Sequence, residues 1–226
     1  MAAKEIPIAG YGPRLLGRVE VAEGTMAFHF EKPPHFDFKP GQSADLTLSN
    51  PPETDAEGNT RTFSIASPSF ENQLTFATRM RDTAFKRSLK KIALGTEVKI
   101  DSPMGSFTLH KNSAKPAVFR AGGIGITPFV SIVRQADHGR LPHKLYLFNS
   151  NRRPEDTPFL ETLQLLETSN QNFQLICTMT EMLMSQKAWN GETGLINKEM
   201  LLRHLTQLQG GPPSITLPAL PPWWRA

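Results

Sequence analysis

The segment from Gly122 to Pro128 has the clearest potential for chemistry. It reads Gly-Gly-Ile-Gly-Ile-Thr-Pro, follows an apolar run that favours a β-strand, and ends in a proline suited to the first turn of a helix. In a strand, glycine turn and helix arrangement, backbone N–H groups approach an anion closely and the helix N-terminus adds partial positive charge. The segment is therefore interpreted as a cradle for nucleotide phosphates, although its spacing is not Gly-x-Gly-x-x-Gly and a lone glycine loop is more often only a tight turn.

A second segment, Arg-Thr-Phe-Ser at residues 61–64, places a guanidinium, an aromatic ring and a hydroxyl on one predicted strand. Strand alternation puts Arg61 and Phe63 on one face and Ser64 on the other. A flavin dinucleotide needs a cation for its pyrophosphate, an aromatic or apolar surface for its ring and a hydrogen-bond partner near flavin N5. The tetrapeptide alone fits any half-buried strand, so the flavin hypothesis depends on the glycine segment that follows it along the chain.

The elements around residues 61–64 predict an antiparallel barrel. Short β segments separated by Pro, Gly and Asn occur at the spacing typical of sandwiches and barrels. They are Leu15–Val21, Thr25–Glu31, Ser43–Leu48, Arg61–Ser67, Leu74–Arg79 and Glu97–Asp101. One helix interrupts them, with Thr83 as its N-cap and Gly95 just beyond its end near Ile92.

The pattern changes after the polar stretch 111–116, where apolar runs begin to alternate with helical segments. Strands are predicted at 117–121, 144–149 and 173–178, and helices near 128–138, 158–167 and 197–208. This alternation is typical of βαβ units and a parallel sheet. We therefore expect two domains, an antiparallel β-barrel of Greek-key type over residues 1–112 and a Rossmann-like α/β domain over residues 113–226.

Composition excludes several classes of function. The formal charge is +4, but Lys and Arg are spread along the chain, so nucleic acid is not indicated as a partner. The densest basic cluster suits cofactor phosphates or an acidic protein, or is simply a solvated helix face. It comprises Arg79, Arg81, Lys86, Arg87, Lys90 and Lys91. No apolar run approaches the roughly 18 residues of a membrane span, and the first residues lack a secretory signal, so a cytoplasmic protein is the default expectation.

The single cysteine, Cys177, excludes an intrachain disulfide and a four-thiolate cluster built by this chain alone. It lies in an apolar segment that reads as a buried strand, where a lone cysteine is usually a small hydrophobic core residue. The six histidines lack metal-ligand spacing. No metal is predicted.

The order of the two chemical segments resembles the ferredoxin reductase family of flavoproteins, from Arg14 to about Leu208. The resemblance implies that Arg61 contacts the FAD phosphates, that Phe63 lies against the isoalloxazine in place of the usual Tyr, and that Ser64 lies near flavin N5. Stacking survives the change to Phe63, but any hydrogen bond from the phenol is lost.

Two more segments resemble parts of this family. Residues 78–86, Thr-Arg-Met-Arg-Asp-Thr-Ala-Phe-Lys, resemble the second FAD segment, in which amides at a helix N-terminus face the pyrophosphate. The cofactor-binding residues implied there are Thr78, Arg79, Thr83, Ala84, Phe85 and Lys86. Residues 102–107 resemble the Gly-Pro-x-Gly turn that ends the barrel, with Ser102 in place of the first Gly.

The glycine segment matches the family's Gly-Gly-x-Gly-x-Thr-Pro motif in full. The match implies that Gly122, Gly123 and Gly125 lie beneath the NAD(P)H pyrophosphate, with Thr127 near the nicotinamide and Pro128 at the helix start. The catalytic assignments are Ser64 and Thr127, for hydrogen bonding and orientation, because no His or Asp is placed to activate either as a nucleophile.

Arg152 and Arg153 follow the second α/β strand and are candidates for a 2′-phosphate. Residues 178–180, however, read Thr-Met-Thr where NADP-specific members of the family often have Ser-Arg. NADH and NADPH therefore both stay open.

The implied reaction is hydride transfer from NAD(P)H to FAD, followed by electron delivery to an acceptor that is a ferredoxin, a flavodoxin, a small molecule or an oxygenase. Two alternatives stay open. One is an electron-transfer subunit of a larger complex, although such members often carry a cysteine-ligated cluster. The other is a catalytically impaired FAD-binding remnant.

The remnant hypothesis arises from residues 210–226, which contain five prolines and two tryptophans in no regular pattern. We predict that this tail is a frame-shifted form of the family's last strand and nucleotide loop, Ile-Tyr-Tyr-x-Ala-Gly-Pro-Pro-x-Met-Val. Read two bases later, the codons of Pro-Pro-Trp-Trp at 221–224 specify a small residue or Pro, then Met, Leu or Val, then Val. The α/β domain is thus expected to be incomplete and NAD(P)H turnover impaired. Resequencing the gene tests the idea.

Overall fold

The computed structural model describes residues 10–205 and the backbone of residues 214–215. Its first half contains six antiparallel strands: β1 Leu15–Ala22, β2 Thr25–Glu31, β3 Ser43–Thr47, β4 Thr60–Ser64, β5 Gln73–Arg79 and β6 Lys99–Ile100. They form two sheets, in the orders β1-β2-β5 and β4-β3-β6. Backbone bridges from Ile65 to Phe76 and from Arg14 to Glu97 join the sheets at both edges. The predicted antiparallel barrel is confirmed.

Helix α1, Ala84–Lys91, covers one end of the barrel. Its apolar face buries Phe85 and Leu89 against the barrel core. Thr83 is the N-cap, as predicted, and its hydroxyl accepts a hydrogen bond from the Lys86 amide at 3.4 Å. At the other end, Arg18 donates to the Ile92 carbonyl at 2.9 Å, so β1 holds the last turn of the helix.

The second half is a parallel sheet with helices. Its elements are β7 Ala117–Gly122, α2 Thr127–His138, β8 Leu145–Asn151, α3 Leu160–Ser169, β9 Phe173–Met179, β10 Glu192–Thr193, α4 Lys198–Leu205 and β11 Ser214–Ile215. The strand order is β10-β9-β8-β7-β11, with every pair parallel. The predicted Rossmann-like sheet is confirmed. Cys177 is buried in β9, as expected, and burial raises the pKa of its thiol to about 12.

Strand β11 pairs with Ala117 and Val118 at the edge of the sheet, over two residues. The rest of the tail from 210 to 226, to which the frame-shift prediction applies, lies outside the described residues. Within the described part of the chain, no helix is both long enough and apolar enough to cross a membrane.

Polar contacts join the barrel to the α/β half. The Ser131 hydroxyl of α2 donates to the buried Ser67 carbonyl at 2.7 Å, and Gln135 Oε1 accepts from the Ser69 amide at 2.9 Å. At a second place, the Glu23 amide in the β1–β2 turn donates to the Glu155 carbonyl at 2.8 Å. These contacts fix the two halves relative to each other.

Candidate flavin and nucleotide site

Strand β4 carries the predicted flavin segment, and its register shows which way the side chains face. Arg61 pairs with Leu46 and Phe63 pairs with Ala44, both of which are fully buried. Residues directly opposite in an antiparallel ladder project to the same face of the sheet. Arg61 and Phe63 therefore share a face, as predicted, and that face is the interior of the barrel. Ser64 lies half-buried on the opposite face.

The ring of Phe63 packs within the barrel end rather than standing free. Its centroid lies 5.9 Å from that of Phe85 and 6.3 Å from that of Phe76. These tilted contacts leave the ring half-buried. Part of its surface therefore remains to meet a planar ligand.

The guanidinium of Arg61 is already engaged by the loop before β4, which we call the acidic loop, residues 53–59. One terminal nitrogen, Nη2, pairs with Glu57 Oε2 at 2.8 Å and with Asp55 Oδ1 at 3.4 Å. The other, Nη1, donates to the backbone carbonyls of Glu57, Gly58 and Thr60. The guanidinium carbon also lies 5.1 Å from the centroid of the Phe85 ring.

The N-terminus of α1 lies beside Arg61. The Ala84 amide donates to Asp55 Oδ2 at 3.2 Å, so a carboxylate takes a free N–H group of the first helical turn. The sequence pattern predicted an anion here, but not that the chain itself supplies one. No spacing rule identifies Asp55, because the contact spans 29 residues and depends on the fold of the loop.

Lys86, in the first turn of α1, shows that positive charge is concentrated at this end of the barrel. Its Nζ donates to the Arg79 carbonyl at 2.7 Å. Burial, together with the charges of nearby Arg81, Arg61 and Arg79, lowers its pKa to about 8. A cation that loses its proton so readily would be stabilised by a bound anion, so the cluster fits a pyrophosphate.

Thr78, the neighbouring predicted contact, is buried within β5. Its hydroxyl donates to the Arg79 carbonyl at 3.4 Å, which is the same carbonyl that Lys86 contacts. Thr78 therefore supports the backbone at the end of β5.

The glycine segment forms the turn that sequence analysis predicted. Gly122 ends β7, Gly123 adopts a φ of +52°, and a short 3₁₀ turn over Gly123–Ile126 leads into α2. Thr127 is buried, and its hydroxyl donates to the Ile124 carbonyl at 3.2 Å. Neither the turn nor α2 has a side-chain N-cap hydrogen bond. Side chains therefore do not cap the start of α2, with Gly125 in the 3₁₀ turn and Pro128 in the first turn of the helix.

Arg79 connects the two halves of the site. Its Nη2 lies 3.5 Å from the position that a Cβ atom on Gly123 would occupy. The end of β5 therefore lies against the glycine turn. Ligands bound at the barrel end and at this turn would meet.

Arg152 lies at the carboxyl end of β8, next to the glycine turn at the end of β7. Its side chain is about half exposed and pairs with Asp156 at 3.3 Å. Asp156 is buried, and a hydrogen bond from Arg153 at 2.9 Å lowers its pKa. Arg153 also pairs with Glu23 of the barrel at 2.8 Å. Sequence analysis missed Asp156, although the polar run Arg-Arg-Pro-Glu-Asp directly after a strand is a signal for it.

Residues 119–215 match the family described as the oxidoreductase NAD-binding domain. Solved structures share the whole architecture. A ferredoxin NADP+ reductase from Neisseria gonorrhoeae, with bound FAD and NADP, superposes with a TM-score of 0.70 at 21% identity, over 87% of this chain and 76% of that one. The chain has the two-domain fold of these reductases.

Further solved structures and sequence relatives match as well. The Amycolatopsis cytochrome P450 reductase GcoB has a TM-score of 0.72 at 19% identity, over 89% of this chain and 60% of that one. The reductase component of propane 2-monooxygenase from Mycolicibacterium smegmatis is 30% identical over 153 residues, 66% of this chain and 42% of that protein. The glycine betaine monooxygenase reductase subunit of Chromohalobacter salexigens is 28% identical over 180 residues, 78% of this chain and 48% of that protein. The chain spans about half the length, or less, of these two relatives.

Proposed function

We propose that the chain is an FAD-dependent oxidoreductase that takes a hydride from NAD(P)H and passes electrons to a separate acceptor. The position of Arg79 beside Gly123 carries the proposal. It sets the end of β5, which leads into the flavin-phosphate segment, directly against the glycine turn. A flavin and a nicotinamide held at these two places would lie within reach of each other.

The cationic end of the barrel supports FAD rather than an uncharged ligand. Arg61, Arg79, Arg81 and Lys86 lie close enough together to lower the pKa of Lys86, and the amides of α1 face the same region. Arg61, Thr83, Ala84, Phe85 and Lys86 would hold the pyrophosphate, and Phe63 and Ser64 would contact the ring. FAD, when bound, supplies a hydride acceptor that can release electrons singly.

The α/β half would bind the nicotinamide nucleotide. The N–H groups around Gly122, Gly123 and Gly125 would face the pyrophosphate, and buried Thr127 would orient the nicotinamide. Arg152 at the end of the adjacent strand would face the ribose of the adenosine half, where its exposed guanidinium can accept a 2′-phosphate. These residues bind and orient, and the proposed reaction needs no acid or base among them.

The acceptor is proposed to be a separate electron-transfer partner, such as an oxygenase component. Two relatives are named as reductase components or subunits of monooxygenases. This chain has one cysteine, which is buried with a raised pKa, so it cannot supply four thiolates to a cluster. Any iron–sulfur cluster between the flavin and the acceptor would have to be held by residues outside this sequence.

A binding titration tests the cofactor assignment. Apo-protein should bind FAD at least about tenfold more tightly than riboflavin, because only FAD offers phosphates to the cationic cluster. NADH or NADPH should then support reduction of an artificial dye acceptor. Equal affinity for FAD and riboflavin, or failure of the folded protein to bind either, would contradict the proposal.

A further inference from the structure

The acidic loop, residues 53–59, lies across the cationic end of the barrel. Each of its carboxylates pairs with a cation there. Glu53 binds Arg87 of α1 at 2.6 Å, and Glu57 binds Arg61 at 2.8 Å. Asp55 lies between them along the chain, with its side chain about one third exposed. The loop thus neutralises part of the surface that would receive the flavin phosphates.

Asp55 occupies the place that a phosphate would take. Its Oδ2 accepts from the Ala84 amide at the start of α1 at 3.2 Å, and its Oδ1 lies 3.4 Å from Arg61 Nη2. An oxyanion held by a helix N-terminus and an arginine has the same partners as a bound phosphate group. Both terminal nitrogens of Arg61 are occupied by the loop, so Arg61 must leave some of these contacts to bind another anion.

Hydrogen bonds within the acidic loop hold Asp55 in this position, and an uncrowded turn follows it. The Glu57 amide donates to Asp55 Oδ1 at 3.1 Å, and the Gly58 amide donates to the Asp55 carbonyl at 2.9 Å. Gly58 has a φ of +72° and nothing lies within 4 Å of where its Cβ would be. Glu53 anchors the start of the loop to α1, whereas the turn around Gly58 has open space beside it.

We propose that Asp55 is an internal anion that competes with flavin phosphates and so weakens the binding of phosphorylated flavins. The proposal rests on the proposed function. FAD displaces the carboxylate because its pyrophosphate brings more negative charge to Arg61 and the α1 amides than one carboxylate does. Riboflavin has no phosphate, so it leaves Asp55 in place. Asp55 therefore lowers FAD affinity without affecting riboflavin affinity, and so reduces the preference for phosphorylated flavins.

The test compares Asp55→Asn with Asp37→Asn in apo-protein. Asp37 is exposed on a barrel loop, so its substitution makes the same change in net charge away from the site. We expect Asp55→Asn to bind FAD about fivefold more tightly than wild type, with riboflavin affinity unchanged and Asp37→Asn within about twofold for both. Flavin fluorescence quenching measures each Kd.

A second measurement uses inorganic pyrophosphate alone. The increase in Tm that it gives should be larger for Asp55→Asn than for wild type or Asp37→Asn. Unchanged or weaker FAD binding by Asp55→Asn would overturn the proposal, as would an equal pyrophosphate effect in all three proteins. If none of the folded proteins binds FAD, the proposed function fails, and the pyrophosphate titration still decides whether Asp55 competes with an anion.

Discussion

Arg79 on the barrel lies next to Gly123 in the nucleotide turn, across the boundary between the two halves of the molecule, with Arg79 Nη2 3.5 Å from where a Cβ on Gly123 would lie. The polar links between the 67–71 loop and α2 hold this arrangement in place. The site is therefore a property of both halves together. Substitutions on either side should have separable effects on flavin binding and on nucleotide reactivity.

Gly123→Val should retain FAD but slow flavin reduction by NAD(P)H more than about tenfold. A β-branched residue is strained at a φ of +52°, and its side chain would press on Arg79 and fill the space above the turn. Gly17→Val is the control, since nothing lies within 4 Å of a Cβ at that strand position. Wild-type reduction rates in Gly123→Val, measured by stopped flow, would remove this turn from the nucleotide site.

Arg61→Ala should weaken FAD binding by about 1.5–3 kcal/mol, since a charge-assisted phosphate contact is lost. The barrel should remain folded, because the side chain is only one part of the acidic-loop network. Lys115→Ala, an exposed cation in the polar stretch between the halves, is the control. Isothermal titration calorimetry with FAD measures the Kd of each variant. Equal affinities in the two variants would show that Arg61 does not contact the cofactor.

Lys86 predicts a pH dependence. Its pKa is lowered from 10.5 to about 8, so apo-protein loses this cation as pH rises through 8. FAD affinity should be constant below that pH and fall above it, and Lys86→Met should remove the change. In the unfolded chain Lys86 keeps its proton up to about pH 10.5. Burial of the charged Lys86 therefore lowers the free energy of unfolding fully below pH 8, and this destabilisation disappears as the pH rises from 8 to 10.5. An FAD affinity that does not change between pH 7 and 9.5 would contradict the assignment, with the pH range set by the shifted and ordinary pKa values.

Ser131→Ala should lower the free energy of unfolding by about 1–3 kcal/mol, because the buried Ser67 carbonyl loses the donor that links α2 to the barrel. Ser106→Ala, at an exposed position near the barrel end, should have little effect. Chemical denaturation followed by circular dichroism provides the comparison. Equal stability in the two variants would mean that the link between the halves does not depend on this bond.

Sequence patterns predicted the elements well, because strand alternation, the Thr83 cap and the glycine turn are local signals. The barrel's closure follows from those strands. Alternation showed that Arg61 and Phe63 share a face, but not that this face is the interior, which only the pairing with Leu46 and Ala44 reveals. The contacts made by Asp55 could not be predicted either, since ion pairs across a folded loop leave no periodic trace in a sequence.

Anaerobic stopped-flow mixing of the FAD-loaded protein with NADH, and separately with NADPH, measures whether a bound nicotinamide nucleotide reduces the flavin. We predict that the absorbance of oxidised flavin disappears at a rate that saturates with nucleotide concentration, because the nucleotide first binds at the glycine turn. A protein that holds FAD and is folded, yet shows no reduction faster than free FAD with either nucleotide, would contradict the account.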